Sequence, residues 1–257
     1  MTSASVVVHP DPGVLALSVA ARLATTIIDA QAARGEASIV LTGGRIAARF
    51  HQALADSPVR HAIDWSRVDF WWGDERFLPA GDPDRNETQA RESLLAALPV
   101  DEKRVHAMPT SDGEYGDDPE AAAAGYAAEL AAAARPGHQE HPHFDVLMLG
   151  VGEDAHVASV FPGQPAIYED RPVVAVRGAP KPPPRRITLT YPTINSAEEV
   201  WLIASGSGKS DAVALAMSGA GPKQAPAAGV RGVSQTRWLL DTAAAGALPS
   251  SFRSLLR

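Results

Sequence analysis

The chain has no cysteine, and its 23 Lys and Arg are outnumbered by 30 Asp and Glu. Without cysteine there is no disulfide framework, no thiolate nucleophile and no cysteine-bound zinc or iron–sulfur cluster. The formal net charge of −7 argues against a nucleic-acid partner, since such proteins are usually basic. An acidic chain binds an anion only where it gathers its cations at one place, so the lysine and arginine positions matter most.

Long apolar runs and a targeting sequence are also missing. The N-terminal apolar run is only Val6–Val8, no basic stretch precedes it, and Asp11 soon follows, which is not the pattern of a secretory signal. No stretch approaches the ~18 apolar residues of a membrane span. We therefore expect no membrane partner and a cytoplasmic location. The 257 residues, 45% hydrophobic, suit one domain over 1–257.

What is present is an alternation of β-branched runs with helical patterns. Strands are predicted at Ser5–His9, Ser38–Thr42, Val68–Trp72, Phe144–Gly150, Pro172–Val176, Arg186–Tyr191, Glu199–Ala204 and Thr236–Asp241. Helices are predicted from Asp11 to Gly35, from a capping box of Asp84 and Glu87 to Leu98, over 118–134, and from Ser207 to Met217. The pattern predicts a Rossmann-like α/β fold with a doubly wound, mostly parallel sheet flanked by helices.

Polar, glycine-bearing loops follow four of the apolar strands. They are GGR at 43–45, GDER at 73–76, GVGEDAH at 150–156 and SGSGK at 205–209. Ligands of an open parallel sheet bind outside the carboxyl ends of its strands. These loops are therefore expected to line one crevice.

Two of these loops resemble nucleotide-binding motifs but do not fit them. A P-loop that ends in Gly208-Lys209-Ser210 needs glycine where Ile203 stands. The G-x-G-x-x-A pattern at 150–155 carries an acidic pair that would face a pyrophosphate. The sequence therefore predicts neither a Walker A site nor a dinucleotide site.

A second cluster of cations lies in the run KPPPRR at 181–186. Arg186 begins a predicted strand, so its guanidinium is better fixed than the side chains of Lys181 and Arg185, for which a solvated loop is an equal alternative. Arg186 and Lys209 are candidates for binding a phosphate dianion. The backbone amides of Gly43 and Gly44, at the start of a helix, would complete the site.

Of the eight histidines, His156 is the candidate for proton transfer. It follows a buried strand, and a neutral imidazole accepts and returns a proton near about pH 6.5. The cluster His138, His141 and His143 is predicted to be solvated surface rather than a metal site. The sequence shows no partners for the remaining histidines, which are His9, His51, His61 and His106.

Four motifs together resemble the 6-phosphogluconolactonases. They are LTGG at 41–44, WWGDERFLP at 71–79, FDVLMLGVGEDAHVASVFPG at 144–163 and PKPPPRRITLT at 180–190. The resemblance runs in order along nearly the whole chain, to the WLLD run at 238–241. This family is similar in fold to the glucosamine-6-phosphate deaminases and isomerases, with which it shares its phosphate-binding loops.

The resemblance implies hydrolysis of a small sugar-phosphate lactone by a monomer or weak homo-oligomer, without a metal or cofactor. His156 would be the general base, Asp74 and Arg76 would hold the sugar end and support the oxyanion, and Gly43, Gly44, Arg186 and Lys209 would hold the phosphate. Gly150, Gly152, Asp154 and Lys181 would support the loop. Arg45 replaces the usual Ser or Thr and is a further phosphate candidate. Ala155 replaces a usual Gly, so the loop is expected to avoid conformations reserved for glycine.

Two other functions compete with the lactonase. One is a deaminase or isomerase acting on an amino-sugar phosphate, and the other is a non-catalytic sugar-phosphate sensor, for which the chain shows no DNA-binding segment. The deaminases have a glutamate five residues after the histidine, where this chain has Phe161. We therefore expect no second carboxylate beside the imidazole, which favours the lactonase.

Overall fold

The computed structural model describes residues 3–134 and 141–249. Its strands are β1 Ser3–His9, β2 Ala37–Leu41, β3 Val68–Trp72, β4 Asp74–Arg76, β5 Val146–Gly150, β6 Val173–Val176, β7 Arg186–Leu189, β8 Glu199–Ala204 and β9 Gln235–Asp241. Its α-helices are α1 Pro12–Arg34, α2 Arg45–Asp56, α3 Asn86–Ser93, α4 Pro119–Ala133, α5 Tyr191–Ile194 and α6 Ser210–Met217. Short 3-10 turns occur between them.

Six strands form a parallel sheet in the order β1-β9-β8-β5-β2-β3. The chain builds outward in one direction from β2 to β3 and in the other from β5 through β8 to β9. The sheet therefore has a topological switch point between β2 and β5, where ligands of such folds bind. The predicted α/β fold with a mostly parallel sheet is confirmed.

A second, three-stranded sheet has the order β4-β7-β6 and is antiparallel. The sequence prediction placed 172–176 and 186–191 with the parallel sheet and took 73–76 for a loop, and both assignments were wrong. The connection 177–185 is shorter than the dozen or more residues that a parallel crossover needs, so β6 and β7 pair as a hairpin. Asp74 pairs with Thr188 on β7, which takes the loop after β3 away from the parallel sheet.

The helix boundaries follow the predicted caps at α1 but not at α3. Asp11 caps α1 by accepting hydrogen bonds from the N–H groups of Gly13 and Val14, and Gly35 ends the helix with φ of 80°. The capping box predicted at Asp84 is wrong, because no side chain of its own segment caps α3. The distant carboxylate of Glu75 takes that place, accepting from the N–H of Asn86 at 2.7 Å.

Helix α1 packs in the main hydrophobic core. Of the described residues, only this helix is long and apolar enough to cross a membrane. Leu15, Val19, Leu23 and Ile27 are fully buried along one face, where α1 contacts α2 and strands β1, β2 and β9. Burial against a sheet and a second helix is the usual environment of a core helix in an α/β fold.

Candidate active site

A cavity of about 500 Å³ opens at the carboxyl edge of the parallel sheet. Ten predicted site residues line it, namely Gly43, Gly44, Arg45, Asp74, Arg76, Gly150, Gly152, His156, Arg186 and Lys209. The four loops therefore meet as the sequence analysis expected. The other two predicted site residues, Asp154 and Lys181, are not part of the lining. Asp154 is hydrogen-bonded to His156, and Lys181 lies beside Asp154.

The imidazole of His156 is paired on its Nδ1 side. Its Nδ1 makes a short hydrogen bond with Asp154 Oδ1, and Lys181 Nζ lies 3.7 Å from the same oxygen. Burial favours a higher pKa for Asp154, but the hydrogen bond and charge of His156, followed by the charge of Lys181, bring the pKa well below its usual range. An anionic Asp154 accepts the Nδ1 proton, which leaves Nε2 as the basic nitrogen.

The surroundings of His156 correct one expectation about its neighbours. Asp154 is a carboxylate beside the imidazole, where the sequence argument expected none. The other side of the imidazole is apolar, because the ring of Phe161 lies 4.5 Å from it between centroids and is fully buried. The carboxylate therefore orients the ring, and the Phe161 side offers no second titratable group.

The loop 150–157 turns tightly to bring His156 over Gly152. Gly152 N donates to His156 O at 2.9 Å, and a Cβ on Gly152 would overlap the imidazole, so only glycine fits there. Ala155 is buried with φ of +63°, in the left-handed region. The expectation that this loop avoids such a conformation was wrong, because alanine reaches that region at a cost of about 1 kcal/mol or more.

Asp74 is a buried carboxylate at the side of the cavity. Its Oδ2 accepts a hydrogen bond from Ser159 Oγ at 2.6 Å and lies 4.0 Å from Arg186 NH1. Its backbone carbonyl accepts from Asn86 Nδ2 at 2.8 Å. Two residues later in the chain, NH1 of Arg76 makes a short hydrogen bond to the carbonyl of Asp84. Both side chains are therefore anchored before any substrate enters.

Arg186 is held mainly by the loop that precedes it. Its Nε donates to Pro183 O at 2.9 Å, and its NH2 donates to the carbonyls of Lys181 and Pro182 at 3.1 and 3.0 Å. Burial lowers the pKa of Arg186, and the charge of Asp74 opposes this shift. Only NH1, toward Asp74, has no backbone partner among the described residues.

Further cations line the cavity at α2 and after β8. Gly44, with φ of +97°, is the N-cap of α2 and has no side-chain cap, so the first amides of this helix face the cavity unbonded by a side chain. Arg45 and Arg49 lie one helical turn apart on α2. Burial lowers the pKa of Lys209. The charge of Glu153 opposes this shift, and the charges of Lys181 and Arg45 add to it.

Sequence reasoning missed several residues of the lining. Arg49 follows Arg45 by four residues, a spacing that places both on one face of a helix, so a helix assigned over 45–56 would have revealed it. Asn86 reaches the cavity from the start of α3, and no pattern in the sequence indicates that. Thr42, Ala158 and Ser205 line the cavity as well.

The described residues contain no group of three or more His, Asp or Glu that could hold a metal ion. Of the histidine cluster predicted as solvated surface, His138 lies outside the described residues, and His143 Nε2 lies 3.3 Å from Asp145 Oδ1. His51 is buried and hydrogen-bonded to Ser93 Oγ at 3.2 Å, and His106 stacks on Trp71. These contacts are structural.

A comparison with known families finds a match over residues 10–238 to the family described as glucosamine-6-phosphate isomerases/6-phosphogluconolactonase. The chain is 62% identical to a 6-phosphogluconolactonase of Streptomyces coelicolor, over 95% of both chains. It is 49% identical to one of Mycobacterium tuberculosis, over 96% of this chain and all of that one.

Solved structures give the same result for the fold. The 6-phosphogluconolactonase of Trypanosoma brucei superimposes with a TM-score of 0.80 and 27% identity, covering 97% of this chain and 100% of that one. A monomeric glucosamine-6-phosphate deaminase reaches a TM-score of 0.78 at 18% identity, over 95% of this chain and 99% of that one. The second likeness concerns the fold alone.

Proposed function

The chain belongs to the family of glucosamine-6-phosphate isomerases and 6-phosphogluconolactonases, and we propose how its cavity hydrolyses 6-phospho-D-glucono-1,5-lactone to 6-phosphogluconate. This reaction is a step of the oxidative pentose phosphate pathway. The observation that carries the mechanism is the position of His156, which lines the cavity while Asp154 holds its Nδ1. A base oriented in this way is suited to activating a water molecule.

In the proposed reaction, Nε2 of His156 takes a proton from water, and the hydroxide attacks the lactone carbonyl carbon. The negative charge that develops on the carbonyl oxygen is stabilised by the guanidinium of Arg76. The bond between the carbonyl carbon and the ring oxygen then breaks, and His156 returns its proton to that oxygen. Asp154 stabilises the intermediate imidazolium, and Asp74 accepts hydrogen bonds from sugar hydroxyl groups.

The phosphate is proposed to bind at the α2 end of the cavity. The amides of Gly43 and Gly44 and the start of α2 supply hydrogen-bond donors, and a helix N-terminus favours an anion. Lys209 and Arg45, which also line the cavity, add positive charge. Arg186 contributes its NH1 from the Asp74 side, since its other nitrogens are bonded to backbone carbonyls.

The groups that the mechanism uses all belong to one chain, so the reaction needs no residue from a second copy, and we propose a monomer or weak homo-oligomer. The main core contains residues from Leu15 to Leu248, which supports a single domain. The lack of cysteine suits a cytoplasmic location, where disulfides are rare.

The direct test measures disappearance of 6-phosphogluconolactone against its spontaneous hydrolysis, with a chelator present throughout. We expect enzymatic hydrolysis well above the spontaneous rate and no effect of the chelator, because the proposed mechanism uses no metal. Loss of activity in chelator together with recovery on adding zinc would show that the mechanism is wrong.

Replacing Lys209 by methionine is expected to raise KM for the phosphorylated lactone by about 10-fold or more. A hydrogen bond to a charged group contributes about 1.5–3 kcal/mol, and the apolar stem of the side chain is retained. The increase should largely vanish with a lactone that lacks phosphate. The matched control is Lys223→Met, an exposed lysine outside the cavity lining. Equal effects of Lys209→Met on both substrates would place Lys209 away from the phosphate.

A further inference from the structure

Glu75 is a fully buried carboxylate that the proposed mechanism does not use. It accepts hydrogen bonds from three backbone N–H groups, those of Arg76 at 2.7 Å, Asn86 at 2.7 Å and Glu87 at 2.9 Å. One donor belongs to β4 and the other two belong to the first turn of α3. The carboxylate therefore joins the strand that carries Asp74 to a helix that is distant in sequence.

Burial raises the pKa of Glu75 to about 7, while the charge of Arg85 and the three N–H groups hold it lower than burial alone would. The Arg85 guanidinium is itself buried, 3.7 Å from Glu75, and its NH2 donates to the carbonyl of Met108 at 2.7 Å. Burying a carboxylate is unfavourable without such partners. This arrangement fixes the backbone of 75–76 tightly.

Asn86 extends this connection into the cavity. It is 3% exposed, it lines the cavity, and its Nδ2 donates to the backbone carbonyl of Asp74 at 2.8 Å and lies 3.4 Å from Asp74 Oδ1. Its Oδ1 has no hydrogen-bond partner among the described residues and lies against Gly43, where an added Cβ would overlap it. One side chain therefore touches both the carboxylate of the sugar end and the glycine loop of the phosphate end.

We infer that Glu75 and Asn86 are positioning residues for the hydrolysis: together they set Asp74 at a fixed distance from the phosphate loop. We name this pair the Glu75–Asn86 clasp. A substrate held at both its phosphate and its sugar hydroxyls presents its carbonyl to His156 only if the two ends of the cavity keep their separation. Misplacement by about 1 Å lowers rates by as much as 100-fold. The inference rests on the proposed function.

The experiment is a double-mutant cycle between Asn86→Ala and Asp74→Ala, measured as kcat and KM on 6-phosphogluconolactone. In the wild-type background we expect Asn86→Ala to lower kcat by about 10-fold or more, because Asp74 loses the hydrogen bonds from Asn86 Nδ2 that fix its position. In the Asp74→Ala background the same change should lower kcat by less than about 3-fold, since the carboxylate that Asn86 positions is already absent. A purely structural role for Asn86 would give equal losses in both backgrounds and would overturn the inference.

Glu75→Gln should lower kcat in the same way and should add little to Asn86→Ala, because both act through Asp74. The matched control is Glu92→Gln, an exposed glutamate of the same helix outside the cavity lining, and it should keep kcat within about 2-fold. If Asn86→Ala does not fold, Asn86→Asp, of nearly the same shape, takes its place in the cycle.

The wild-type enzyme in the same assay distinguishes a failure of the proposed function from a failure of the clasp. An inactive wild type contradicts the proposed function, whereas an active wild type matched by a fully active Asn86→Ala contradicts only the clasp.

Discussion

Substituting His156 by glutamine should lower kcat by at least about 100-fold while the protein remains folded, the low end for loss of a positioned general base. Glutamine has a similar reach but cannot accept a proton from water at neutral pH. The imidazole packs against Phe161 and Gly152 and makes a side-chain hydrogen bond with Asp154. We therefore expect little loss of stability.

The measurement compares kcat on 6-phosphogluconolactone, with thermal unfolding followed in parallel. His61→Gln is the matched control, since His61 is exposed and outside the cavity lining, and it should leave kcat within about 2-fold. KM should change little in His156→Gln, because other groups, the amides of Gly43 and Gly44 and the side chain of Lys209, are proposed to bind the phosphate. A folded His156→Gln enzyme with full activity would remove His156 from the mechanism.

The parallel sheet was predictable because its strands are short apolar runs separated by helices with recognisable caps. The position of the site followed from the same pattern, since residues after such strands meet at one edge. Gly43, Lys209 and His156 line one cavity at this edge for this reason. None of these inferences needed more than local sequence and one topological rule.

The parts that could not be predicted all depend on contacts between distant segments. Glu75 caps α3 from eleven residues away in the sequence, where a local reading favoured Asp84. Strand β4 exists because Asp74 and Arg76 pair with β7, and a three-residue polar segment carries no strand pattern of its own. Asn86 enters the cavity through this long-range cap, which explains why it was missed.

The left-handed backbone at Ala155 was missed for another reason. Local rules reserve positive φ for glycine, but the buried turn around Ala155 is held at both ends. Its N–H donates to Gly152 O at 3.0 Å, and its carbonyl accepts from Ala227 N at 2.9 Å. Such contacts offset the local preference, which is of the order of 1–2 kcal/mol.

The structure also separates this chain from the deaminases whose fold it shares. Isomerisation of an aldose phosphate moves a proton between adjacent carbons and opens the sugar ring, which requires one group at carbon and another at the ring oxygen. Here the carboxylate beside His156 is Asp154, which occupies Nδ1 and is paired with Lys181. On the other side, Val160 and Phe161 are fully buried and apolar. Asp74 remains in the cavity, but the imidazole has no second free acid or base next to it among the described residues.

A lactone needs less from the site, because its carbonyl is already electrophilic and requires only water, one base and support for the oxyanion. We therefore expect no measurable release of ammonia or fructose 6-phosphate from glucosamine 6-phosphate by enzyme that rapidly hydrolyses 6-phosphogluconolactone. Both reactions are to be measured on the same preparation, with glucosamine 6-phosphate also tested as a competitive inhibitor of the lactonase. Inhibition without turnover would show that the amino sugar enters the cavity and that the chemistry, not binding, is missing. Turnover of the amino sugar at a rate comparable to lactone hydrolysis would contradict the separation argued from Asp154 and Phe161.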